Sequence, residues 1–111
     1  MRRPDVLRDD RDFKKLYSKG SSVGSKYIVL IHLKNRLEFN RYAFLASKKV
    51  GNSVMRNRAR RLMKESFREQ KDKLEQGHDI LFIARKEITF ANYTEVLESM
   101  NKTLGKSGLI K

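Results

Sequence analysis

The chain of 111 residues contains no cysteine and only one proline, Pro4. Without cysteine, neither a disulfide scaffold nor a Cys-ligated zinc site can form. The first residues lack the apolar stretch of a signal peptide, and no apolar run is long enough to span a membrane. The sequence therefore argues against the disulfide-rich and membrane-spanning classes, and we expect a cytoplasmic location.

Acidic residues are scarce relative to basic ones. The chain has 26 Lys and Arg against 13 Asp and Glu, which gives a formal net charge of +13. Such an excess indicates a polyanionic partner, and RNA, DNA and an anionic membrane all qualify on charge alone. Hydrophobic residues make up 39% of the chain, which argues against a disordered basic tail. We expect one RNA-binding domain over residues 1–111, with loose ends at residues 1–8 and 105–111.

The residues between Ser47 and Lys71 carry the densest run of cations. Its core is predicted to be one helix that begins near Asn52 or Ser53. At about 100° per residue, one side of this helix gathers Met55, Ala59, Leu62, Met63, Ser66 and Phe67. The opposite side gathers Asn57, Arg60, Arg61, Lys64, Arg68 and Lys71, and the flanks near the helix start carry Arg56 and Arg58.

The cationic side of this helix is nearly without acids, because Glu65 and Glu69 fall toward its edge. A surface helix buries its apolar side, so the cations must face outward. An arginine guanidinium binds phosphate oxygens two at a time, whereas an ordinary solvated face mixes charges of both signs. The helix therefore favours binding to a nucleic acid.

Hydrophobic periodicity and turn residues predict the other elements. These are a helix from Asp9 or Asp10 to Lys19 stopped by Gly20, a turn or short strand at 21–25, strands at 27–33, 41–47 and 79–84, and a last helix capped by Thr89 or Asn92. The strands at 27–33 and 41–47 are expected to form a hairpin, and charged residues 68–76 to extend the basic helix toward Gly77. The order predicts an α/β sandwich with helices packed on one sheet. The strands that flank the basic helix are expected to lie parallel, and general rules predict a right-handed crossover between them.

No constellation of catalytic side chains is visible in the sequence. His32 falls in an apolar strand and His78 in the turn before another, so both are interpreted as structural. No spacing of His or carboxylate residues resembles a metal-ligand set. The glycines at 20 and 24 lack the lysine and the following helix of a phosphate-binding loop.

The run from Ser47 to Leu62, SKKVGNSVMRNRARRL, resembles the signature of the bacterial ribonuclease P protein subunit. The string combines a lysine pair, a Gly-Asn turn, an Arg-Asn-Arg core and an Arg-Arg pair at set spacings, and the resemblance spans nearly the whole chain. It implies a ribosomal-protein-like fold: a four-stranded mixed sheet with three helices and a left-handed βαβ crossover. The fourth strand would come from the region of Ser21 to Gly24.

The resemblance also implies that the protein assists an RNA catalyst and holds no catalytic residue of its own. Magnesium or similar divalent ions would be held mainly by RNA. The implied partners are the catalytic RNA and precursor tRNA, with no membrane and no obligate protein partner. The residues implied for binding the RNA subunit are Arg58, Arg60, Arg61, Lys64 and Arg68. Those implied for the 5′ leader of precursor tRNA are Phe13, Tyr17, Ile31, Lys48, Arg56 and Asn57, with Asn57 near an RNA-bound metal ion.

Phe13 and Tyr17 are separated by one helical turn, and two such rings can stack on unpaired bases. Core packing explains the pair about equally well, and for Leu16 beside them it is preferred. Ile31 is aliphatic and cannot stack, whereas Tyr27 shares its strand face by alternation. The alternatives are a ribosomal or other structural RNA-binding protein without a role in cleavage, a self-sufficient nuclease and a membrane-surface helix.

Overall fold

The computed structural model describes residues 4–111 and contains one mixed sheet of four strands with three α-helices. The elements are α1 (Asp10–Lys19), β1 (Ser21–Gly24), β2 (Ile28–Lys34), β3 (Arg41–Leu45), α2 (Ser53–Arg68), β4 (His78–Ala84) and α3 (Tyr93–Ser107), with 3₁₀ turns at Lys71–Lys73 and Lys86–Phe90. The predicted sandwich and the fourth strand are confirmed. No helix between residues 4 and 111 is long and apolar enough to cross a bilayer.

The strands lie in the order β1-β2-β4-β3. β4 is antiparallel to β2 and parallel to β3, so β3, α2 and β4 form the expected parallel crossover. The predicted hairpin of β2 with β3 is wrong, because β4 inserts between them. β4 is buried along almost its whole length, which suits a central strand flanked on both edges.

The two faces of the sheet bury different helices. Ile28, Leu30 and Phe82 belong to the larger core that includes residues of α2 and α3. In that core the Phe67 ring of α2 lies 4.8 Å from the Phe82 ring. On the other face, Leu16 of α1 belongs to a smaller cluster with Leu7, Ile31, Ala43 and Leu81. Full burial of one such side chain stabilises the fold by about 1.5–3 kcal/mol, so all three α-helices are anchored by the sheet.

Local signals set the helix boundaries. The Asn52 side chain accepts a hydrogen bond from the Met55 amide at 3.0 Å, and Asn92 forms a capping box with Glu95. Asp9 precedes α1, but its side chain makes no capping bond. A Cβ at Gly20 would lie 2.5 Å from the Leu16 carbonyl oxygen, so a glycine is needed where α1 meets the sheet.

α2 ends at Arg68 instead of continuing toward Gly77, and the predicted extension of the helix is wrong. The chain turns through Lys71–Lys73 and then buries Leu74 completely. Beyond it the backbone pairs with the C-terminal segment, since the Glu75 amide donates to the Leu109 carbonyl.

Both chain ends are attached to the domain, so the predicted loose ends are wrong where the structure describes them. The Leu7 amide donates to the Tyr42 carbonyl at 2.8 Å, and the Tyr42 amide donates to the Asp5 carbonyl at 2.8 Å. At the other end, Leu109 is buried and its carbonyl accepts from the Glu75 amide at 2.8 Å. Residues 1–3 of the predicted arm lie outside the described residues.

Candidate nucleic-acid interface

The outward side of α2 is a continuous cationic surface. Ala59, Leu62, Met63, Ser66 and Phe67 are buried as predicted, whereas Met55 is exposed. The opposite side presents Asn57, Arg61, Lys64 and Arg68 to solvent, and Arg60 is half-buried. We call Arg60, Arg61, Lys64 and Arg68 the α2 cationic face.

Acidic side chains do not neutralise this face. Within residues 4–111, every ion pair lies elsewhere: Arg11 with Asp9, Arg41 with Asp12 and Asp79, and Lys71 with Asp5. Four like charges along about two and a half helical turns repel one another, because each lies within about one Debye length (~8 Å at physiological salt) of its neighbour. A polyanion would relieve that repulsion, which suits the face to a phosphate backbone.

The start of α2 holds a small polar network. The Asn57 side-chain oxygen accepts a hydrogen bond from the Arg60 guanidinium. The Arg56 Nη2 group donates to the Ser53 hydroxyl at 3.2 Å, while its Nε is buried and has no acceptor among the described residues. Arg56 is therefore tied to the first residue of the helix, and Asn57 orients Arg60.

Arg58 does not belong to the α2 cationic face. Its guanidinium donates to the Ala91 carbonyl at 2.7 Å and to the Thr89 carbonyl at 3.4 Å. These bonds tie α2 to the segment between β4 and α3. They direct the Arg58 side chain toward the protein backbone, and its assignment to RNA binding stays a prediction.

Of the two α1 rings predicted to contact the leader, one is open to solvent and the other is partly buried. Tyr17 is 58% exposed, whereas Phe13 is half-buried against the cluster of Leu16. Ile31 is only 8% exposed and lies beneath α1, next to Gly20. Because α1 covers it, little of Ile31 is open to a leader, and its assignment to the leader stays a prediction.

Tyr27 also lies apart from α1. It precedes β2 instead of sitting within it, belongs to the core on the α3 side, and donates from its hydroxyl to Glu95 at 3.2 Å. The alternation that placed Tyr27 beside Ile31 fails, because the strand begins at Ile28.

A groove of ≈ 420 Å³ joins α1 to α2 along the outer edge of β3, where the N-terminal segment pairs with Tyr42. Phe13 and Leu45 line it together with cations of α2, namely Lys64 and Arg68, and Lys71 just beyond the helix. The aromatic and cationic residues that the sequence assigned to different RNAs therefore meet in one groove. Lys48 is exposed in the turn between β3 and α2.

An ion-pair network positions α1 over the sheet. Arg41 donates to both carboxylate oxygens of Asp79, at 2.8 and 2.7 Å, and reaches Asp12 of α1 at 3.2 Å. The hydrogen bond with Asp79 raises the pKa of Arg41, so the charge persists at any physiological pH. This network fixes the first turn of α1 beside Phe13, and sequence patterns alone did not identify it.

The two histidines are neighbours, although the sequence gave no sign of it. Their ring centroids lie 6.3 Å apart across β2 and β4. Burial, and secondarily His78, lower the pKa of His32. His78 is buried and its Nδ1 has no hydrogen-bond partner among the described residues. Among residues 4–111, no three His, Cys, Asp or Glu side chains come together as metal ligands.

Comparison with known proteins identifies the family. The family model described as Ribonuclease P matches residues 1–108. The chain is 41% identical over 110 residues to the ribonuclease P protein component of Alkaliphilus metalliredigens, covering 99% of each chain. It is 43% identical over 110 residues to that of Thermoanaerobacter sp., covering 98% of this chain and 95% of the relative.

Solved structures agree with these sequence matches. The Staphylococcus aureus RNase P protein superposes with a TM-score of 0.89 at 26% identity, covering 98% of this chain and all (100%) of that one. The Thermotoga maritima protein gives 0.81 at 28% identity, covering 91% and 96% of the two chains. With a sequence match that spans the chain and a shared fold, this protein belongs to the ribonuclease P protein family.

Proposed function

We propose that this protein binds the catalytic RNA of ribonuclease P and the 5′ leader of precursor tRNA, and that the RNA performs the cleavage. The observation that carries the proposal is the junction of the α2 cationic face with the aromatic groove at Phe13. One surface can hold a folded RNA through its phosphates, while the adjoining groove accepts a single strand. Such a complex works in the cytoplasm, where tRNA is processed in bacteria.

The RNA subunit is assigned to the α2 cationic face. Its guanidinium and ammonium groups have no carboxylate partner within the described chain, so phosphate contacts need not break an existing ion pair. Each contact releases counterions from the RNA, which makes the affinity fall steeply with salt. Arg58 contributes indirectly, by holding the helix against the segment before α3.

The leader is assigned to the groove and its continuation over α1. Phe13 and Tyr17 offer ring faces on which successive bases can stack with little sequence preference. Lys64 and Arg68 line the same groove and would neutralise the phosphates of the strand. Lys48 and Arg56 extend the positive rim toward the start of α2, where Lys48 is exposed.

Divalent ions are assigned to the RNA. Magnesium or a similar ion would supply an activated water for phosphodiester hydrolysis. The residues present do not form a protein site for such an ion, since the Asn57 oxygen already accepts from Arg60 and the described chain groups no three metal-ligating side chains. The role of Asn57 in the proposal is to orient Arg60 toward RNA.

The proposal is tested by the affinity of the RNA subunit, with and without this protein, for precursor tRNA and for mature tRNA. We expect the protein to tighten binding of precursor tRNA and to leave the affinity for mature tRNA nearly unchanged. Equal tightening of both, or of neither, would contradict the assignment of the groove to the leader.

A further inference from the structure

A second concave surface lies on the opposite flank of α2, where the segment after β4 meets the helix start. It has a volume of ≈ 530 Å³, and its lining includes Lys26, Lys49, Met55, Lys86 and Phe90, which we call the Phe90 surface. None of the contacts described so far uses its lysines or its aromatic ring. The ring of Phe90 is 92% exposed, the largest exposed fraction among the large hydrophobic side chains of residues 4–111.

The backbone on either side of Phe90 is held firmly. The Thr89 hydroxyl donates to the Val50 carbonyl at 2.6 Å, and Arg58 donates to the carbonyls of Thr89 and Ala91. Ile88 and Ala91 are buried. A flexible loop could turn its phenylalanine inward, but this one is fixed with the ring in water. An aromatic ring presented by a fixed backbone is typical of a binding contact, because little backbone entropy is lost when a partner covers it.

The charges around the ring select the kind of partner. Three lysines and one acid, Glu87, line the surface. A second copy of a chain with net charge +13 would be repelled, and an apolar protein surface would leave the lysines without partners. A nucleotide satisfies both parts of the surface, since a base has a flat face for the ring and its phosphates accept from lysine.

The position of the Phe90 surface indicates that it contacts the RNA subunit and not the leader of precursor tRNA. At about 100° per residue, Arg58 lies on the flank of α2 roughly opposite Phe67, which lines the groove assigned to the leader. Arg61 of the α2 cationic face lies between these two flanks. A strand in the groove is therefore separated from Phe90 by the helix itself, whereas an RNA lying across the outward face of α2 reaches both flanks.

We propose that an unpaired nucleotide of the RNA subunit stacks on Phe90, with Lys49 and Lys86 contacting the adjoining phosphates. This inference rests on the proposed function, because it assumes that the α2 cationic face binds the RNA subunit. It adds a specific stacking contact to what is otherwise a purely electrostatic interface, on the side of α2 away from the leader.

The direct test uses the absence of tryptophan from this chain. Phe90→Trp keeps an aromatic ring and creates a single fluorophore at the site, and stacking on a base quenches indole emission. Phe39→Trp is the matched control, because Phe39 is also exposed but lies near the opposite end of β4. We expect the RNA subunit to quench the Phe90→Trp protein at one equivalent and to leave the control unchanged. Precursor tRNA alone should quench neither.

A second measurement follows affinity. Phe90→Ala should raise the Kd for the RNA subunit about 5- to 150-fold, the range for loss of one base–aromatic stack, and Phe39→Ala should not change it. The slope of affinity against salt should stay the same, because no charge is removed. Since the ring is exposed, neither substitution should alter folding, which circular dichroism verifies.

The other outcomes separate this inference from the proposed function. If Phe90→Ala binds the RNA subunit like the unsubstituted protein, and the RNA subunit does not quench Phe90→Trp, the stacking contact is wrong while the proposed function stands. Quenching by precursor tRNA instead of the RNA subunit would overturn the choice of RNA. Self-association in sedimentation that Phe90→Ala abolishes, with RNA binding unchanged, would assign the surface to a second copy and also overturn the inference. If the unsubstituted protein fails to bind the RNA subunit, the proposed function itself fails.

Discussion

Replacing Arg60 and Arg61 together by alanine should weaken binding to the RNA subunit and flatten its salt dependence. Neither side chain forms an ion pair within residues 4–111, and only Arg60 has a hydrogen-bond partner there, Asn57. Each lost phosphate contact reduces the slope of log K against log salt by about 0.7–0.9, so the pair should reduce it by about 1.4–1.8. Alanine has a higher helix propensity than arginine, so α2 should remain folded.

The slope converts into a measurable change of affinity. Between about 50 and 200 mM salt, the affinity advantage of the unsubstituted protein over the double variant should shrink about 7- to 12-fold. Filter binding or fluorescence anisotropy at four salt concentrations would give both slopes. The matched control is Lys34→Ala with Lys102→Ala, which removes the same charge from exposed positions outside α2.

The control variant distinguishes a local contact with phosphate from the effect of the protein's net charge. A control variant that flattens the slope as much as the double variant would show that net charge alone drives binding. An unchanged slope for Arg60→Ala with Arg61→Ala would refute the assignment of these arginines to phosphates.

Four further predictions concern the groove, the interior contacts and the chain end. Phe13→Ala should weaken holoenzyme binding of precursor tRNA about 5- to 150-fold by loss of a stack and leave mature tRNA unaffected, as competition binding would show. Arg58→Ala should lower the free energy of unfolding by about 1–3 kcal/mol in urea titrations, with no change in the salt slope of RNA binding. Leu109→Ala should cost about 2–5 kcal/mol in the same titrations, because the side chain is buried. The pKa of His32 is lowered in the folded protein from 6.5, so near that pH the unfolded chain binds more protons than the folded one. The free energy of unfolding should therefore fall as the pH drops below about 6.5. His32→Gln should remove that fall without slowing cleavage.

Each of these predictions has an outcome that contradicts it. Phe13→Leu preserves most of the packing, so equal losses for precursor and mature tRNA in both Phe13 variants would make the ring a core residue only. A reduced salt slope for Arg58→Ala would restore Arg58 to the RNA contacts. Unchanged stability of Leu109→Ala would mean that the tail is dispensable. A thousandfold loss of cleavage in a folded His32→Gln protein would point to protein-based chemistry.

Three helix boundaries were predictable because the signals that set them are local. The Asn52 and Asn92 caps and the stop at Gly20 each depend on a residue type within one turn of the boundary. The period of apolar residues likewise identified the buried side of α2 and the partly buried place of Phe13. Such features need no knowledge of the rest of the chain.

Strand partners were not predictable in the same way. β2 and β3 are adjacent in sequence and look like a hairpin, yet β4 separates them. The alternation of Ile28 and Val29 with their neighbours says which side of a sheet a residue faces, but not which strand lies next to it. Choosing the partner requires the packing of α2 and α3 on one face, which is a property of the whole domain.

The sequence could not show which candidate side chains have partners far away along the chain. Arg58 occupies a flank of α2 that sequence alone leaves open to RNA, but its acceptors, Thr89 and Ala91, lie more than thirty residues away (|i−j| of 31 and 33). The packing of Ile31 with Leu16 and the contact of the two histidines across β2 and β4 likewise depend on residues far apart in the chain. The exposed ring of Phe90 gave no periodic signal, because it lies in a short 3₁₀ turn.

The most direct test of the central claim is cleavage of precursor tRNA at low magnesium, with the protein alone, the ribonuclease P RNA alone, and both together. We predict cleavage at the leader junction that appears only, or far more strongly, when both are present. Cleavage by the protein alone would contradict the assignment of the chemistry to RNA. If the protein binds the RNA and leaves its rate unchanged, its role in cleavage is refuted.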